Sequence, residues 1–332
     1  MVLETQTSRR VSNFSVGVLL FNLVVILGGA LVRATKSGAG CGAHWPLCDG
    51  QVVPGLQTFH QMVEFSHRML VGVGMLLVLW LYILVRKNFP AGSQARSAVT
   101  ATAIFTLSEA LIGAALVLFK WVGADQSVQR VFAVSAHLIN TFLLVASLAL
   151  TYWFTAGKPT LVFKGQGKIV MFALTNLFVS AIIGISGAIT ALGDTLFPAK
   201  STAEIGRVVA SKAHFIEKLR VVHPVIAIVG LIIIILSITK LMRTCHSDEV
   251  KNFAFLSGIL GVLQMGLGFF NLYSLAPLTL QLAHLLVADV FWISLVFLGA
   301  ASLSDHGKVE MGGDSIVLSA EPGSAVATGT SN

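Results

Sequence analysis

The sequence predicts an all-α integral membrane protein whose eight transmembrane helices form two pseudo-symmetric four-helix bundles. Hydrophobic residues make up 55% of the 332 residues and charged residues only 11%, with a mean hydropathy of +0.84. Soluble domains do not have this composition. The apolar residues also cluster in long runs, and landmarks in the first four runs recur in the last four. We therefore expect two related halves within one membrane protein.

Each of the eight apolar runs is long enough to cross a bilayer. A helix needs about 20 apolar residues to span the hydrocarbon layer, where it satisfies its own backbone hydrogen bonds. The first run follows Arg9 and Arg10, as the core of a signal peptide would, but it exceeds the roughly 7–15 residues of such a core. We therefore interpret it as a retained span. The runs cover about residues 14–33, 64–86, 98–120, 130–153, 169–192, 214–241, 252–275 and 277–302.

The distribution of Lys and Arg predicts the orientation. Loops on the side of the N-terminus carry more basic residues than loops on the other side, and basic loops are retained in the cytoplasm. Both termini are therefore expected in the cytoplasm, and the net charge of +7 calls for no nucleic-acid partner. The segment 303–332 is rich in Gly, Ser and Ala and has no apolar period, which is typical of a disordered cytoplasmic tail.

An internal repeat divides the chain. Aligning runs one to four with runs five to eight matches a series of landmarks in the same order. Because four spans return the chain to its starting side, the repeat is parallel. The predicted halves are residues 1–153 and 154–302. The matched landmarks are Gly29 with Gly187, His67 with His223, Glu109 with Gln264, Gly113 with Gly268, and His137 with His284.

Four histidines lie within the apolar runs, namely His67, His137, His223 and His284. Each stands near the start of an even-numbered run, so all four are expected near the outer membrane face. An ionisable side chain inside the membrane indicates a functional site, although any single one could bond to a neighbouring helix. Paired imidazoles on facing helices suit the two axial positions of haem iron, whereas zinc usually takes further ligands. Copper and a proton relay are weaker alternatives. We therefore predict one haem site in each half, formed by the two histidines of that half.

The two predicted sites differ three residues before their first histidine, a spacing that shares one helix face. Glu64 occupies this position in the first half and Arg220 in the second. Arg220, together with Lys218, suits the propionates of a haem, and Arg68 is a candidate for that role in the first half. A carboxylate beside a haem indicates acid–base chemistry, but Glu64 could also be a solvated residue paired with Arg68. Glu109 is interpreted as a helix–helix hydrogen bond.

Two of the three cysteines lie in the first outer loop. Between Cys41 and Cys48 stand Gly42 and Pro46, which favour a turn, and an outer loop faces a compartment that permits disulfides. The pair is either a structural disulfide or a redox-active pair that passes electrons from the nearby haem site. Cys245 lies in an inner loop and is expected to be a reduced thiol.

These residues resemble a known family, the bacterial haem A synthases. The resemblance covers residues 14–302. It is carried by Gly28-Gly29-Ala30-Leu31-Val32-Arg33-Ala34-Thr35, by Ser37-Gly38, Cys41, Trp45-Pro46 and Cys48, and by Glu64-Phe65-Ser66-His67-Arg68.

The resemblance implies an oxidoreductase that converts a methyl group of haem O to the formyl group of haem A for terminal oxidases. It further implies that His67 and His137 hold the substrate haem O and that Glu64 takes part in the catalytic step. Cys41 and Cys48 match the redox-active pair of the family. The location implied is the bacterial cytoplasmic membrane.

In the second half, the resemblance implies that His223 and His284 hold a permanent haem b. Some family members carry another cysteine pair in the corresponding outer loop, but the loop 193–213 has none. Expected partners are haem O and the bilayer, with a haem O synthase, terminal oxidase assembly factors and a second copy of the chain as candidates. A di-haem cytochrome b that relays electrons would also explain the four histidines, as would a haem carrier. Neither explains why Glu64 stands opposite Arg220.

Overall fold

The computed structural model describes residues 2–55, 57–201 and 214–317, and these ranges are helical, without a strand. A one-turn 3₁₀ helix, Ser37–Ala39, follows the first long helix, and Cys48 forms an isolated bridge with Gln51 in the next loop. The long helices are α1 (Val2–Ala34), α2 (Phe59–Asn88), α3 (Gln94–Leu118), α4 (Val128–Thr155), α5 (Gly167–Leu196), α6 (Phe215–Thr244), α7 (Asp248–Tyr273) and α8 (Leu278–Val317).

All eight long helices are long and apolar enough to cross a membrane, which confirms the predicted fold class. The protein is therefore a multi-pass membrane protein. One boundary differs from the prediction, because α8 continues to Val317 and so enters the expected tail 303–332. Each residue added to an existing helix gains a backbone hydrogen bond, so a helix can extend beyond its apolar run. Residues 318–332 lie outside the described part of the chain.

Side-chain caps determine where several helices begin. Thr58 accepts a hydrogen bond from the backbone N–H of Gln61 at the start of α2. His214 and Glu217 form a capping box at the start of α6. Such caps satisfy backbone N–H groups that have no partner inside the helix, and they set how far into each helix the histidines lie. Serine caps begin α3, α4 and α7, at Ser93, Ser127 and Ser247.

The two halves share a packed centre. The helices α1, α4, α5 and α8, two from each half, contact one another in every combination. Trp292 of α8 stacks on Phe142 of α4 with ring centroids 4.4 Å apart, and its Nε1 donates to the Phe142 carbonyl oxygen at 2.9 Å. One buried cluster contains Trp292 and Val296 together with residues of α1 to α4. The boundary between residues 153 and 154 therefore describes the repeat, and its role as a domain boundary stays a prediction.

Candidate functional site

The four membrane-embedded histidines lie at one end of the helix bundle. His67, His137, His223 and His284 are the ninth, tenth, ninth and seventh residues of α2, α4, α6 and α8. Successive spans reverse direction, so these four helices begin at the same face. His67 is close enough to His137 for their charges to interact, as is His284 to His223. The structure therefore brings the histidines together in the pairs named from the sequence, while their role as iron ligands stays a prediction.

A glycine on the neighbouring helix makes room for each imidazole. A Cβ atom at Gly29 would lie 3.2 Å from Cε1 of His67, and one at Gly187 would lie 3.2 Å from Cε1 of His223. Small residues allow this close approach between membrane helices. Since these glycines are landmarks of the repeat, both halves hold their histidines by the same packing. A glycine also faces each second histidine. A Cβ atom at Gly268 would lie 3.1 Å from Cε1 of His284, whereas one at Gly113 would lie 3.9 Å from Cε1 of His137, which is an ordinary contact distance.

Several imidazole nitrogens have no hydrogen-bond partner inside the protein. Nδ1 of His67 and Nδ1 of His284 are buried without one. Nδ1 of His137 lies 3.4 Å from Oε1 of Glu109 but forms no hydrogen bond with it. Buried polar atoms normally have partners, so these three imidazoles are exceptions: each lacks a hydrogen bond on Nδ1. The two half-buried imidazoles of each half fit the axial ligation of a haem iron.

In the first half, Glu64 lies against the disulfide loop. Cys41 and Cys48 form the expected disulfide, and both residues are buried. Oε2 of Glu64 accepts a hydrogen bond from the backbone N–H of Cys41 at 2.8 Å, and Oε1 accepts one from Nη2 of Arg68 at 2.5 Å. The Glu64 side chain is only 4% exposed. The carboxylate is therefore a buried, paired group that touches the cysteine pair rather than a solvated residue at the helix mouth.

Arg68 attaches the same loop to α2. Its Nη1 donates to the carbonyl oxygens of His44 at 2.7 Å and Leu47 at 2.5 Å, while Nη2 binds Glu64. Hydrogen bonds to a charged donor are stronger than neutral ones. Both terminal nitrogens of Arg68 are thus used within the protein. A contact between Arg68 and haem propionates would compete with these bonds, and it stays a prediction.

The start of the disulfide loop packs closely on the first turn of α2. A Cβ atom at Gly40 would collide with the backbone of His60 and Gln61, so this approach requires glycine. Nε2 of Gln61 donates to Oδ2 of Asp49 at 2.7 Å, and Oγ of Ser37 lies 3.0 Å from Nδ1 of His60. These contacts fix the loop against the start of α2, the helix that carries His67.

In the second half, Arg220 is buried at the position that corresponds to Glu64. Its Nη1 donates to the carbonyl oxygen of Phe197 at 2.9 Å and lies 3.4 Å from Oδ1 of Asp194. Its Nε is buried without a partner. Lys218 is exposed near the start of α6. The unpartnered Nε makes Arg220 suited to an anionic group, and the predicted binding of haem propionates by Arg220 and Lys218 stays a prediction.

Pro224 follows His223, at the position that Arg68 has in the first half. A proline inside a helix cannot donate to the carbonyl four residues earlier, which here belongs to Arg220. Oγ1 of Thr190 on α5 lies 3.5 Å from this carbonyl oxygen, while its shorter hydrogen bond, of 2.9 Å, goes to the carbonyl oxygen of Ser186. The helix α6 nevertheless continues through the proline. The second half therefore has no side chain here that could attach an outer loop.

Arg33 is a half-buried residue to which sequence reasoning gave no role. It lies at the end of α1, yet its Nη1 donates to the carbonyl oxygen of Ala191 and to Oγ1 of Thr195 at 2.7 Å, both on α5. Its Nη2 donates to Oε1 of Gln281 on α8 at 3.0 Å. Arg33 thus connects the first half to the second at the end of the bundle that carries the four histidines. Its place at the end of an apolar run was the available signal.

Three further polar residues lie inside the bundle. Asp289 on α8 is 1% exposed and its Oδ2 has no partner. Sequence reasoning missed it, although an acidic residue within an apolar run is a signal for function. Glu109 accepts hydrogen bonds from Asn140 at 2.6 Å and from Thr141, both on α4, as expected for a helix–helix contact. Cys245 is a buried thiol whose Sγ lies 3.7 Å from a backbone carbonyl oxygen of α8.

The fold and the site together define a class of protein: a multi-pass membrane protein with two pairs of embedded histidines, one beside a buried carboxylate and a disulfide. A family model described as cytochrome oxidase assembly protein (COX15-CtaA) matches residues 12–296. The chain belongs to this family, that of the haem A synthases.

Three relatives illustrate the similarity. Heme A synthase of Bacillus pumilus is 32% identical over 288 residues, covering 83% of this chain and 88% of the relative. Heme A synthase of Bacillus cereus is 28% identical over 298 residues, covering 87% and 93%. Protoheme IX farnesyltransferase of Thermus thermophilus is 39% identical over 334 residues, covering 99% and 53%. The chain therefore spans about half the length of this Thermus relative.

Proposed function

We propose that this chain is a haem A synthase that oxidises a methyl group of haem O to the formyl group of haem A. The similarity to heme A synthases over most of both chains supports this function. The observation that carries it is the buried Glu64, which lies three residues before His67 and accepts a hydrogen bond from Cys41. A di-haem electron-transfer cytochrome does not explain why Glu64 stands where the second half has Arg220. The haem O would be held by His67 and His137.

Glu64 would act in the oxidation itself. Conversion of a methyl group to a formyl group takes two successive two-electron oxidations. Together they remove four electrons and four protons from the methyl group and one water molecule, whose oxygen becomes the formyl oxygen. Positive charge develops on the methyl carbon, so a nearby carboxylate stabilises the transition state or accepts a proton. Burial strengthens such an interaction because the local dielectric is low. The bonds from Arg68 and Cys41 would hold the carboxylate in one orientation.

The disulfide would receive electrons on the outer side of the site. One disulfide takes up two electrons and two protons as it becomes two thiols, and the thiols can return them to an oxidant by exchange. The hydrogen bond from the backbone N–H of Cys41 places this disulfide beside the carboxylate of Glu64.

In the second half, His223 and His284 would hold haem b, with Arg220 and Lys218 on its propionates. When bound there, haem b would supply a one-electron relay. The residues of the chain itself provide the imidazoles, the glycine-lined space and the buried guanidinium. We place both haems near the outer face of a bacterial cytoplasmic membrane, with both termini inside.

Haem O would come from a partner protein. Attachment of a farnesyl group to protohaem IX is the class of reaction that supplies haem O, and farnesyltransferase is the name of the Thermus relatives. We therefore propose that this chain works beside a haem O synthase, and that terminal oxidase assembly factors receive the product.

The test is to express the chain in cells that make haem O but no haem A, and to analyse the extracted haems. We expect haem A with the native chain, and a loss of roughly 100-fold or more with Glu64→Gln, the range for removal of an acid–base group. Glu249→Gln is the matched control, because Glu249 only pairs with Lys158 at the opposite end of the bundle. Undiminished haem A in a haem-bound Glu64→Gln protein would refute the role of Glu64, and no haem A from the native chain would refute the proposed function.

A further inference from the structure

His67 and His223, the first histidine of each pair, differ in the hydrogen-bond partner of their Nδ1 atom. In the second half, Nδ1 of His223 lies 2.9 Å from Oγ of Ser186 on α5. The Ser186 hydroxyl donates its hydrogen to the carbonyl oxygen of Ile183 at 2.8 Å. A hydroxyl has one hydrogen to donate, so its oxygen faces the imidazole as an acceptor. This arrangement favours the tautomer of His223 that carries its proton on Nδ1 and keeps a free lone pair on Nε2.

The first half lacks this hydroxyl. Since Gly29 corresponds to Gly187 in the repeat, Gly28 corresponds to Ser186. A Cβ atom at Gly28 would lie 3.2 Å from Nδ1 of His67, so the imidazole lies against the bare backbone. Nδ1 of His67 is buried without a hydrogen-bond partner. The two imidazoles thus meet equivalent positions, one with a hydrogen-bond acceptor and one without.

We propose that Ser186 is a positioning residue that makes iron ligation by His223 tight, and that glycine at position 28 leaves ligation by His67 exchangeable. The proposal rests on the proposed function, in which the second half keeps its haem while the first half releases a product in each cycle. An acceptor on the second ring nitrogen fixes the tautomer and orientation of a histidine and raises its basicity as a ligand. Loss of such an outer partner typically costs about 10- to 100-fold in metal affinity.

The second histidines do not reverse this difference. The carboxylate of Glu109 lies 3.4 Å from Nδ1 of His137 but forms no hydrogen bond with it. Its oxygens instead accept hydrogen bonds from Asn140 and Thr141. In the second half, Nε2 of Gln264 lies 3.2 Å from Nε2 of His284, whose Nδ1 has no partner. The hydroxyl of Ser186 is therefore the one well-formed acceptor on a histidine Nδ1 among these four described residues.

The experiment measures haem release from the purified full-length protein loaded with haem b, using excess apomyoglobin as the trap. His67→Ala and His223→Ala assign the release phases to the two halves. With Ser186→Ala, we expect release from the second half to accelerate by about 10- to 100-fold. The midpoint potential of that haem should rise, because a weaker imidazole donor stabilises ferric iron less. Ser186→Thr keeps the hydroxyl and should restore both values.

The exchange in the first half is tested by Gly28→Ser against Gly28→Ala. Both add a Cβ atom beside His67, but only serine adds an acceptor, so slower release with serine than with alanine supports the proposal. Equal release from these two variants, or an unchanged rate and potential in Ser186→Ala, overturns it. If neither Ser186→Ala nor Ser186→Thr binds haem, the proposal is tested by comparing the haem release rates of Gly28→Ser and Gly28→Ala.

Failure of the proposed function gives a different result. If His223→Ala retains both haems with unchanged spectra, the assignment of haem b to this site is wrong whatever Ser186 does. If His223→Ala loses the slowly released haem while Ser186→Ala keeps the native rate and potential, only the present inference fails.

Discussion

The position after the first histidine holds Arg68 in one half and Pro224 in the other, while the position three residues before it holds Glu64 and Arg220. Gly29 and Gly113 face histidines in the first half as Gly187 and Gly268 do in the second, whereas Gly28 is replaced by Ser186. The parts that admit an imidazole between two helices were thus retained, and the polar groups around it diverged. The comparison teaches that packing around the histidines specifies a shared binding framework, whereas charge and hydrogen bonding assign each half its own chemistry.

The largest effect is expected from removing the second histidine of either half. His137→Ala should abolish haem binding in the first half only, and His284→Ala in the second half only, with losses above the roughly 100-fold that an outer partner contributes. Pyridine haemochrome analysis and redox titration of the purified variants measure this. If either variant lost both haems while remaining folded, a haem that bridges the halves would replace the pairing within each half.

Arg68→Ala should free the disulfide loop in the first half. Its hydrogen bonds to His44, Leu47 and Glu64 involve a charged group, and each such bond contributes about 1.5–3 kcal/mol. We therefore expect amide exchange across residues 41–50 to accelerate at least about tenfold. Arg220→Ala is the control, because Arg220 bonds to the second half. Equal acceleration in both variants would show that the loop does not depend on Arg68.

Replacing the cysteine pair should have a smaller effect on loop order. A cross-link that closes a loop of about eight residues lowers the entropy of the open loop by an amount equivalent to roughly 2 kcal/mol. Cys41→Ser combined with Cys48→Ser should therefore increase proteolysis of the loop, while Arg68 still holds it to α2. If the pair is redox-active, haem A formation should decrease by a larger factor than proteolysis of the loop increases. A proportional decrease in both would favour a structural disulfide.

Gly29→Ala and Gly187→Ala should give the smallest and most similar effects. Each added Cβ atom would lie 3.2 Å from an imidazole carbon, and crowding of this kind costs about 1 kcal/mol or somewhat more. A shift of the Soret band and faster haem release should follow in the half that carries the substitution. Gly17→Ala is the control, because no atom lies within 4 Å of a Cβ at Gly17. A large difference between the two variants would argue against equivalent packing.

Much of the fold could be predicted because membrane spans depend on local properties. Length and hydropathy identify each helix, and the repeat relates His67 to His223 by sequence alone. The helix ends were less predictable, since α2 begins at Phe59 through a cap by Thr58 rather than where its apolar run starts near residue 64.

Contacts that depend on the path of a loop or on helix packing could not be predicted. Glu64 meets the backbone of Cys41 although 23 residues separate them, and no local pattern encodes that approach. Arg33 reaches α5 and α8 only because α1 packs between the halves. Asp289 was visible as a charge in an apolar run, but its burial depends on its neighbours in space. The residue types at the site were therefore readable from the sequence, and their partners were not.

The shared centre of α1, α4, α5 and α8 makes the two sites mechanically dependent on each other. The stacked pair of Phe142 and Trp292 joins helices that each carry one of the embedded histidines, His137 and His284. A substitution that disrupts the packing of Phe142 on Trp292 would therefore disturb both histidine pairs, whereas a substitution on α2 or α6 would disturb the pair of its own half. If the two halves were expressed as separate polypeptides, they would have to assemble as a heterodimer through α1, α4, α5 and α8 before either histidine pair could hold its haem.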